Sequence, residues 1–273
     1  MTHTFGTLWA TQNLGSLMFN FLARHCFALT LLGGLTALGL SAPSVQAAEQ
    51  KIAVVELFTS QGCSSCPPAD KILAQYAKTE GVLALSWHVD YWNYLGWQDT
   101  FSKAEFSQRQ RLYAQSFKRR GVYTPQAVVN GRDHAVGSRK EDVDGLIKTH
   151  AASGKGLSVT LKVNKTNDTI RFTSSAIASD KKVTLSVIYF DKQQQVKIKR
   201  GENRGETITY HNVVRDVFML GMAEQGVVDV TLPKDALRMK GHDACALILQ
   251  VFDKDGVPGE ILGASVIDGL RGS

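Results

Sequence analysis

Two cysteines, Cys63 and Cys66, have the C-x-x-C spacing and are followed directly by Pro67 and Pro68. Two thiols at this spacing can work as a redox dithiol, supply half of a metal site, or close a small structural disulfide. A structural disulfide would close a very short loop and would remove little entropy from the unfolded chain. A closed zinc site needs four ligands, and the sequence has no second C-x-x-C. These observations favour a dithiol that takes part in thiol–disulfide exchange.

The elements around the cysteines predict that the pair lies at the start of a helix. The apolar run Lys51–Phe58 predicts a strand, and Pro68–Lys78 has the apolar spacing of a helix. Unpaired backbone N–H groups and the positive end of the helix dipole favour the thiolate, which is the nucleophile. We therefore predict that Cys63 is the exposed attacking sulfur and that Cys66 attacks the mixed disulfide and releases the partner.

The prolines limit how this helix can begin. Pro67 has no N–H and disfavours the helical conformation at Cys66. Either the cysteines lie on a tight turn with Pro67 as the first helical residue, or the first helical turn is distorted. In both cases Asp70 falls in the first turn, where a carboxylate is favourable. We also expect backbone N–H groups near Ser64 and Ser65 to stabilise the thiolate.

A second feature of the sequence is Gly121–Gly131 (GVYTPQAVVNG), which places Thr124 and Pro125 directly before a predicted strand. The order strand, C-x-x-C, helix, strand, helix, Thr-Pro, strand, strand, helix resembles the thioredoxin fold from about Ala53 to Ala151. In that fold a cis-proline occupies this place, its loop packs against the active-site cysteines, and it pairs with a bound peptide; cis bonds are essentially confined to X-Pro. The resemblance implies that Pro125 is cis and that Thr124-Pro125 shapes the substrate groove.

Four segments together carry a closer resemblance: ELFTSQGCSSCPPAD, HVDYWNYLGWQD, YTPQAVVNG and GENRGETITYHNVV. On these segments the chain resembles the secreted, thioredoxin-like family known as domain of unknown function family 1223 (DUF1223). The resemblance covers essentially the whole chain after residue 47. It implies a fold, export, cysteines at Cys63 and Cys66, and a cis-proline at Pro125, but it names no substrate.

His88 is the candidate proton carrier of the site. It lies with Asp90 at the C-terminal end of the second predicted strand, at the sheet edge where sites gather. His88 could stabilise the Cys63 thiolate or carry a proton during exchange, and the alternative is a hydrogen-bonded structural histidine. No cofactor beyond the dithiol is required, and no metal site is predicted. Two alternatives for the dithiol remain, a copper(I) site made by two thiolates and a non-catalytic protein-interaction module.

Three further features receive structural interpretations. The segment Gly201–Gly205 (GENRG) lies between two predicted strands, indicates a hairpin turn, and lacks the strand-to-helix context of a phosphate loop. Cys245 stands in an apolar run and is expected to be buried. A dense aromatic cluster follows the second predicted strand and either packs the two halves of the chain together or walls a peptide groove. Its members are Trp87, Tyr91, Trp92, Tyr94 and Trp97.

Residues 1–47 have the layout of a secretory signal peptide. The apolar run Phe27–Leu40 follows Arg24 and precedes small residues at Val45 and Ala47. The run is about 14 residues long, whereas a membrane-spanning helix needs about 20, so we expect cleavage after Ala47 rather than a retained anchor. The predicted product is periplasmic or secreted, has no stable membrane insertion, and works where disulfides persist.

The charge balance bears on the class of partner. The chain has 31 Lys and Arg against 25 Asp and Glu, a formal net charge of +6. These basic residues are spread out, whereas a nucleic-acid site gathers them on one face with aromatic stacking positions. Together with the predicted export, this argues against nucleic acid as a partner. We expect the partners to be the thiols or disulfides of other proteins.

The pattern of elements changes near Ala151–Gly156. Before this segment strand-like and helix-like runs alternate, which indicates an α/β layer with a buried sheet. After it, seven short runs of alternating polarity are separated by turn residues, which is typical of a β-sandwich. The sequence therefore predicts a signal peptide at residues 1–47, an α/β thioredoxin-like domain at 48–152 and an all-β sandwich-like domain at 153–273.

Overall fold

The structure, a computed structural model, describes residues 52–179, 182–223, 226–237 and 241–267. The predicted signal peptide and its cleavage site lie outside these residues. Across the described ranges, no helix combines the length and the apolar character needed to cross a membrane.

The first half of the described chain alternates strands with helices in the predicted order. Its elements are β1 (Ala53–Thr59), α1 (Pro67–Tyr76), β2 (Val82–His88), α2 (Ala104–Ser116), β3 (Gln126–Val129), β4 (Asp133–Val136) and α3 (Lys140–Ala152). A short 3-10 turn at Asn93–Leu95 follows β2. An Asn130-Gly131 turn with positive φ at both residues joins β3 to β4, as expected for a tight hairpin.

The second half consists mainly of strands. They are β5 (Leu161–Lys165), β6 (Thr169–Ser174), β7 (Lys182–Lys197), β8 (Thr207–Ala223), β9 (Asp229–Pro233), β10 (Ala244–Phe252) and β11 (Pro258–Ile267). Two strands predicted at residues 183–190 and 195–200 largely coincide with the single long strand β7, because the polar residues between them stay paired with β8. The sequence pattern did not predict β11.

The predicted fold class, an α/β thioredoxin-like domain followed by an all-β sandwich-like domain, is wrong. One mixed sheet of eight strands contains strands from both halves, in the order β11-β10-β7-β8-β2-β1-β3-β4. A separate three-stranded sheet has the order β5-β6-β9. Four strands of the second half therefore extend the first half's sheet instead of forming their own sandwich. Alternating polarity predicts which face of a strand is buried, but it does not predict the neighbouring strand.

The two halves of the large sheet meet where β2 lies beside β8. The strands are parallel there and pair at Ser86 and Val213. Beside this pair, the Asn212 side-chain amide donates a hydrogen bond to the Ala84 carbonyl over 2.8 Å. Asn212 has a positive φ of 47°, a conformation that asparagine tolerates better than most residues. The Asn212 side chain thus adds a hydrogen bond to the backbone pairing between β2 and β8.

Both faces of the large sheet are covered. On one face α2 packs over a core drawn from both halves, which includes Phe58, Leu85, Trp87, Phe106, Tyr113, Ile188, Phe190, Ala246 and Ile248. On the other face α1 and α3 cover β1 and β3, while the small sheet covers β7 and β10. Strand β10 is buried on both sides along nearly its whole length, which explains its apolar sequence, in which Gln250 is the polar exception.

Candidate functional site

The cysteine pair lies on a turn between β1 and α1, and its two sulfurs form a disulfide. The Cys63 N–H donates to the Ser60 carbonyl over 3.2 Å, and the Cys66 N–H donates to the Cys63 carbonyl over 3.2 Å. Helix α1 begins at Pro67, with Cys66 as its N-cap residue. Of the two arrangements that the prolines permitted, the structure therefore has the tight turn with Pro67 as the first helical residue.

The sulfur of Cys63 is surrounded by hydrogen-bonding side chains. The Thr124 hydroxyl donates to Cys63 Sγ over 3.3 Å, and Ser65 Oγ lies 3.4 Å from the same sulfur. The Trp92 indole N–H donates to Thr124 Oγ1 over 2.8 Å and so orients the hydroxyl. The Thr124-Pro125 peptide bond is cis, as the resemblance implied. Sequence reasoning thus identified two segments that meet at one sulfur.

The expected exposure of Cys63 is not found. In the disulfide form the residue is 1% exposed and Cys66 is 0% exposed, although Ser64 and Ser65 between them are exposed. A segment from the second half of the chain is hydrogen-bonded to the cysteine turn. That segment connects β7 to β8, consists of Gly201–Gly205, and is called the hairpin tip below.

The hairpin tip is hydrogen-bonded to the backbone around Cys63. The Asn203 side-chain amide donates to the carbonyls of Gln61 and Cys63, each over 2.9 Å. The Ser64 N–H donates to a Glu202 carboxylate oxygen over 3.2 Å. The N–H group that was expected to stabilise a thiolate is therefore occupied by a carboxylate. The segment predicted as a plain hairpin turn is part of the site.

His88 is fully buried and does not contact the cysteines by a hydrogen bond. Its Nδ1 lies 2.7 Å from Asp99 Oδ2, and the same carboxylate oxygen accepts a bond from the Gln61 N–H over 2.7 Å. Burial by itself would raise the pKa of Asp99, but the charge and hydrogen bond of His88 and the bonds from the backbone N–H groups of Gln61 and Phe101 lower it below its ordinary value. His88 thus reaches the cysteine turn through Asp99 and Gln61.

A group of buried polar atoms lies behind the turn. Neither oxygen of Asp70 has a hydrogen-bond partner among the described residues, and the same holds for Thr59 Oγ1, His88 Nε2 and the Tyr210 hydroxyl. Burial raises the pKa of Asp70 to about 7, an effect larger than the opposing attraction of His88. The carboxylate expected to benefit from the helix N-terminus is instead placed in an interior that disfavours its charge.

The aromatic cluster has members in the core and members beside the cysteine turn, and its expected role as the wall of a peptide groove stays a prediction. Trp87 is 1% exposed and packs in the core, with Phe106 edge-on at a ring-centroid distance of 5.2 Å. Trp97 donates to Gln61 Oε1 over 2.9 Å and lies, with Trp92, beside the cysteine turn. Tyr94 is 78% exposed. The cluster therefore both fills the core and supports the polar groups around Cys63.

Two further predictions concern Cys245 and metal binding. Cys245 is fully buried in the core between the large and small sheets, which confirms that expectation. In the part of the chain that the structure describes, no group of three or more His, Cys, Asp or Glu side chains is arranged to hold a metal ion. The copper(I) alternative needs only two thiolates and stays a hypothesis.

Sequence reasoning missed Asn203, Glu202, Asp99 and Gln61 as members of the site. Asn203 and Glu202 are separated from Gln61 and Ser64 by 142 and 138 positions, so no local spacing connects them. The available signal was that all four residues lie within the four segments that carried the family resemblance.

Comparisons with known proteins identify a family but name no activity. Residues 54–250 match the family described as "Protein of unknown function (DUF1223)". A crystal structure of an Agrobacterium tumefaciens protein is 37% identical, has a TM-score of 0.70, and is matched over 81% of this chain and 96% of that one. HBP35 of Porphyromonas gingivalis is 17% identical, with a TM-score of 0.52 over 82% of this chain and 76% of that one, which shows a likeness of fold alone. No curated protein gave a significant match.

Proposed function

This chain belongs to the DUF1223 family of proteins of unknown function, and we propose that it is an exported thiol–disulfide oxidoreductase that acts on protein cysteines. The observation that carries the proposal is the Cys63–Cys66 disulfide at the start of α1. Hydrogen-bonding side chains gather on the Cys63 sulfur. A purely structural disulfide across so short a loop would add little stability.

The surroundings of the two sulfurs differ, which supports different roles for them. Thr124 donates a hydrogen bond to Cys63 Sγ, whereas within the described ranges no side chain does so for Cys66. A hydrogen bond to sulfur favours the thiolate over the thiol, so Cys63 is the better nucleophile of the reduced pair. Cys66, which is fully buried at the helix N-cap, is the sulfur that resolves the mixed disulfide.

The reaction begins, for the disulfide form, with a substrate thiolate attacking Cys63 Sγ. The new bond joins the substrate sulfur to Cys63, the Cys63–Cys66 bond breaks, and Cys66 leaves as a thiolate that takes up a proton. A second substrate thiolate then attacks the first substrate sulfur and releases Cys63 as a thiolate. The substrate dithiol is oxidised by two electrons and the Cys63–Cys66 pair is reduced by two. The reverse sequence reduces a substrate disulfide.

Thr124, Pro125 and His88 have supporting roles in this proposal. Thr124 bonds to the Cys63 sulfur and directly precedes Pro125, so we expect a polypeptide that brings a cysteine to Cys63 to pass beside this segment. His88 is a positioning residue, because its ring holds Asp99, and Asp99 holds the backbone N–H of Gln61 two residues before Cys63. The site needs no cofactor for exchange, since both electrons come from sulfur.

The proposed place of action is the periplasm or the extracellular medium. This rests on the signal-peptide layout of residues 1–47 and on the disulfide, which persists in oxidising compartments. The proposed partners are the thiols and disulfides of other exported proteins.

The test compares Cys66→Ser with Cys63→Ser, using a synthetic peptide that contains two cysteines as the substrate. In Cys66→Ser the nucleophile remains but the resolving thiol is absent, so the oxidised peptide should form a stable mixed disulfide that dithiothreitol releases. Cys63→Ser is the matched control and should form none. Mass spectrometry of the intact protein detects the adduct.

A redox titration of the wild-type pair against glutathione completes the test by giving its reduction potential. If Cys66→Ser forms no adduct, and the wild-type protein does not accelerate oxidation or reduction of the peptide, the proposal is wrong.

A further inference from the structure

We infer that the hairpin tip, Gly201–Gly205, is a displaceable cover over the disulfide, and that Asn203 is the positioning residue that holds it closed. This inference rests on the proposed function in one respect, since it specifies how a protein substrate gains access to Cys63. The cover would select against small thiols and favour polypeptides that can replace the tip on the cysteine turn.

The tip is a folded turn that its own strands support. The last residue pair of the β7–β8 ladder is Lys197 with Thr207. Beyond it, the Ile198 N–H donates to the Glu206 carbonyl over 2.9 Å, and the Gly205 N–H donates to the Ile198 carbonyl over 2.9 Å. Ile198 is 1% exposed and anchors the base of the turn. The tip can therefore move as a unit about a fixed base.

Three hydrogen bonds hold the tip on the cysteine turn. Two come from Asn203 and reach the carbonyls of Gln61 and Cys63; the third joins Glu202 to the Ser64 N–H. Each of these bonds uses a backbone carbonyl or N–H group of the turn. An extended polypeptide can form hydrogen bonds to the same groups. Hydrogen bonds exchanged for bonds to water or to a substrate contribute little net free energy, so the tip can be displaced while the sheet stays folded.

The other covering group, Thr124, is held more firmly. It directly precedes Pro125 and strand β3, and β3 is paired on both sides by β1 and β4. Its hydroxyl also accepts the bond from the Trp92 indole. Thr124 is fixed by the sheet, whereas the tip is held by three hydrogen bonds and by the close approach of Gly201 to Trp97. The tip is therefore the part that opens. At 1% exposure, Cys63 cannot meet another protein's sulfur until it does.

The first experiment measures how fast glutathione reduces the disulfide in wild-type protein and in Asn203→Ala. Asn203→Ala removes both bonds from the tip to the Gln61 and Cys63 carbonyls, so reduction should be roughly tenfold faster. The matched control is Asn164→Ala, which removes an exposed amide from β5 on the small sheet and should leave the rate unchanged. An Asn203→Ala protein that is folded but is reduced at the wild-type rate contradicts the inference.

A second measurement needs no variant and covers the case in which Asn203→Ala does not fold. The Ser64 N–H is bonded to the tip, so its hydrogen exchange in wild-type protein reports opening. The Ser64 N–H should exchange through local opening of the tip, so its exchange rate should not change with denaturant at low denaturant concentrations. Exchange at Ser64 only through global unfolding would overturn the inference. Both measurements remain valid if the protein does not catalyse exchange on the cysteine peptide, so a failure of the proposed function is separate from a failure of the cover.

Discussion

The environment of Asp70 in the folded protein differs from the one that its position in the sequence predicts. Its place in the first turn of α1 predicts a solvated carboxylate that benefits from the helix dipole. In the folded protein it is 3% exposed and lies near the buried side chains of His88 and Tyr210. The loss of water outweighs the benefit from the helix N-terminus and from His88, because burial penalises the charged form directly. The result is a raised pKa.

The raised pKa of Asp70 predicts a specific pH dependence of stability. The folded protein keeps a proton on Asp70 up to about pH 7, whereas the unfolded chain loses it near the ordinary value of 3.8. The free energy of unfolding therefore falls as pH rises through this window, by up to about 1.4 kcal/mol per pH unit from this group. Asp70→Asn, which carries no titrating proton, should be increasingly more stable than wild type from pH 4 to pH 7.

Urea denaturation at several pH values measures this difference. Asp255→Asn is the matched control, since Asp255 is exposed in a surface loop, and its difference from wild type should not grow over the same range. A constant difference between Asp70→Asn and wild type across the window would show that Asp70 is not protonated in the folded protein.

At the scale of elements, α2 is tied to the large sheet by a buried polar network. The Arg109 guanidinium donates to both carboxylate oxygens of Glu56 on β1, over 2.8 and 3.1 Å. It also donates to Gln250 Oε1 on β10 over 2.8 Å, and Tyr113 one helical turn later bonds to Glu56. Burial by itself would lower the pKa of Arg109. The charge and hydrogen bonds of Glu56 outweigh this effect and raise the pKa above its ordinary value. The network joins β1, α2 and β10, which come from both halves of the chain.

Removing Arg109 should be costly because Glu56 is 0% exposed and would keep an uncompensated charge. We expect Arg109→Met to lower the free energy of unfolding by about 3–5 kcal/mol. Urea denaturation measures the loss. Adding Glu56→Gln to Arg109→Met should recover part of the loss, because the unpaired charge disappears.

Arg111→Met is the control, since Arg111 lies on the same helix but is exposed. If Arg109→Met costs no more than Arg111→Met, the pair does not stabilise the packing of α2.

At the scale of the whole molecule, the two halves of the chain share one sheet and one core. Under α2, residues of β1 and β2 pack with residues of β7 and β10. The β3–β4 turn is also bonded to β11, because the Ile261 N–H donates to the Asn130 carbonyl over 2.8 Å. The predicted domain boundary between residues 152 and 153 stays a prediction, and the shared core provides a way to test it.

We expect the two halves to unfold together in a single transition. In the protein without residues 1–47, all tryptophans (Trp87, Trp92 and Trp97) lie in the first half, so their fluorescence reports on that half. With the Cys63–Cys66 disulfide intact, alkylation of buried Cys245 reports on the second half. The two probes should give the same urea midpoint, because neither half can expose the shared core alone. Two separated midpoints would instead support independent domains at 48–152 and 153–273.

The sequence by itself determined the local chemistry of the site and most of the elements. The C-x-x-C spacing, the strand–helix order of the first half and the burial of Cys245 depend on short-range backbone constraints or on local polarity, which are readable from neighbouring residues. The prolines left two possible starts for α1 open, and the structure decided between them. The resemblance to DUF1223 added the cis bond at Pro125. Only the tertiary structure decided that β8 pairs with β2, that Asn203 and Glu202 bond to the cysteine turn, and that Asp70 is buried. Each of these depends on which distant segments meet, and strand pairing and desolvation leave no local pattern in the chain.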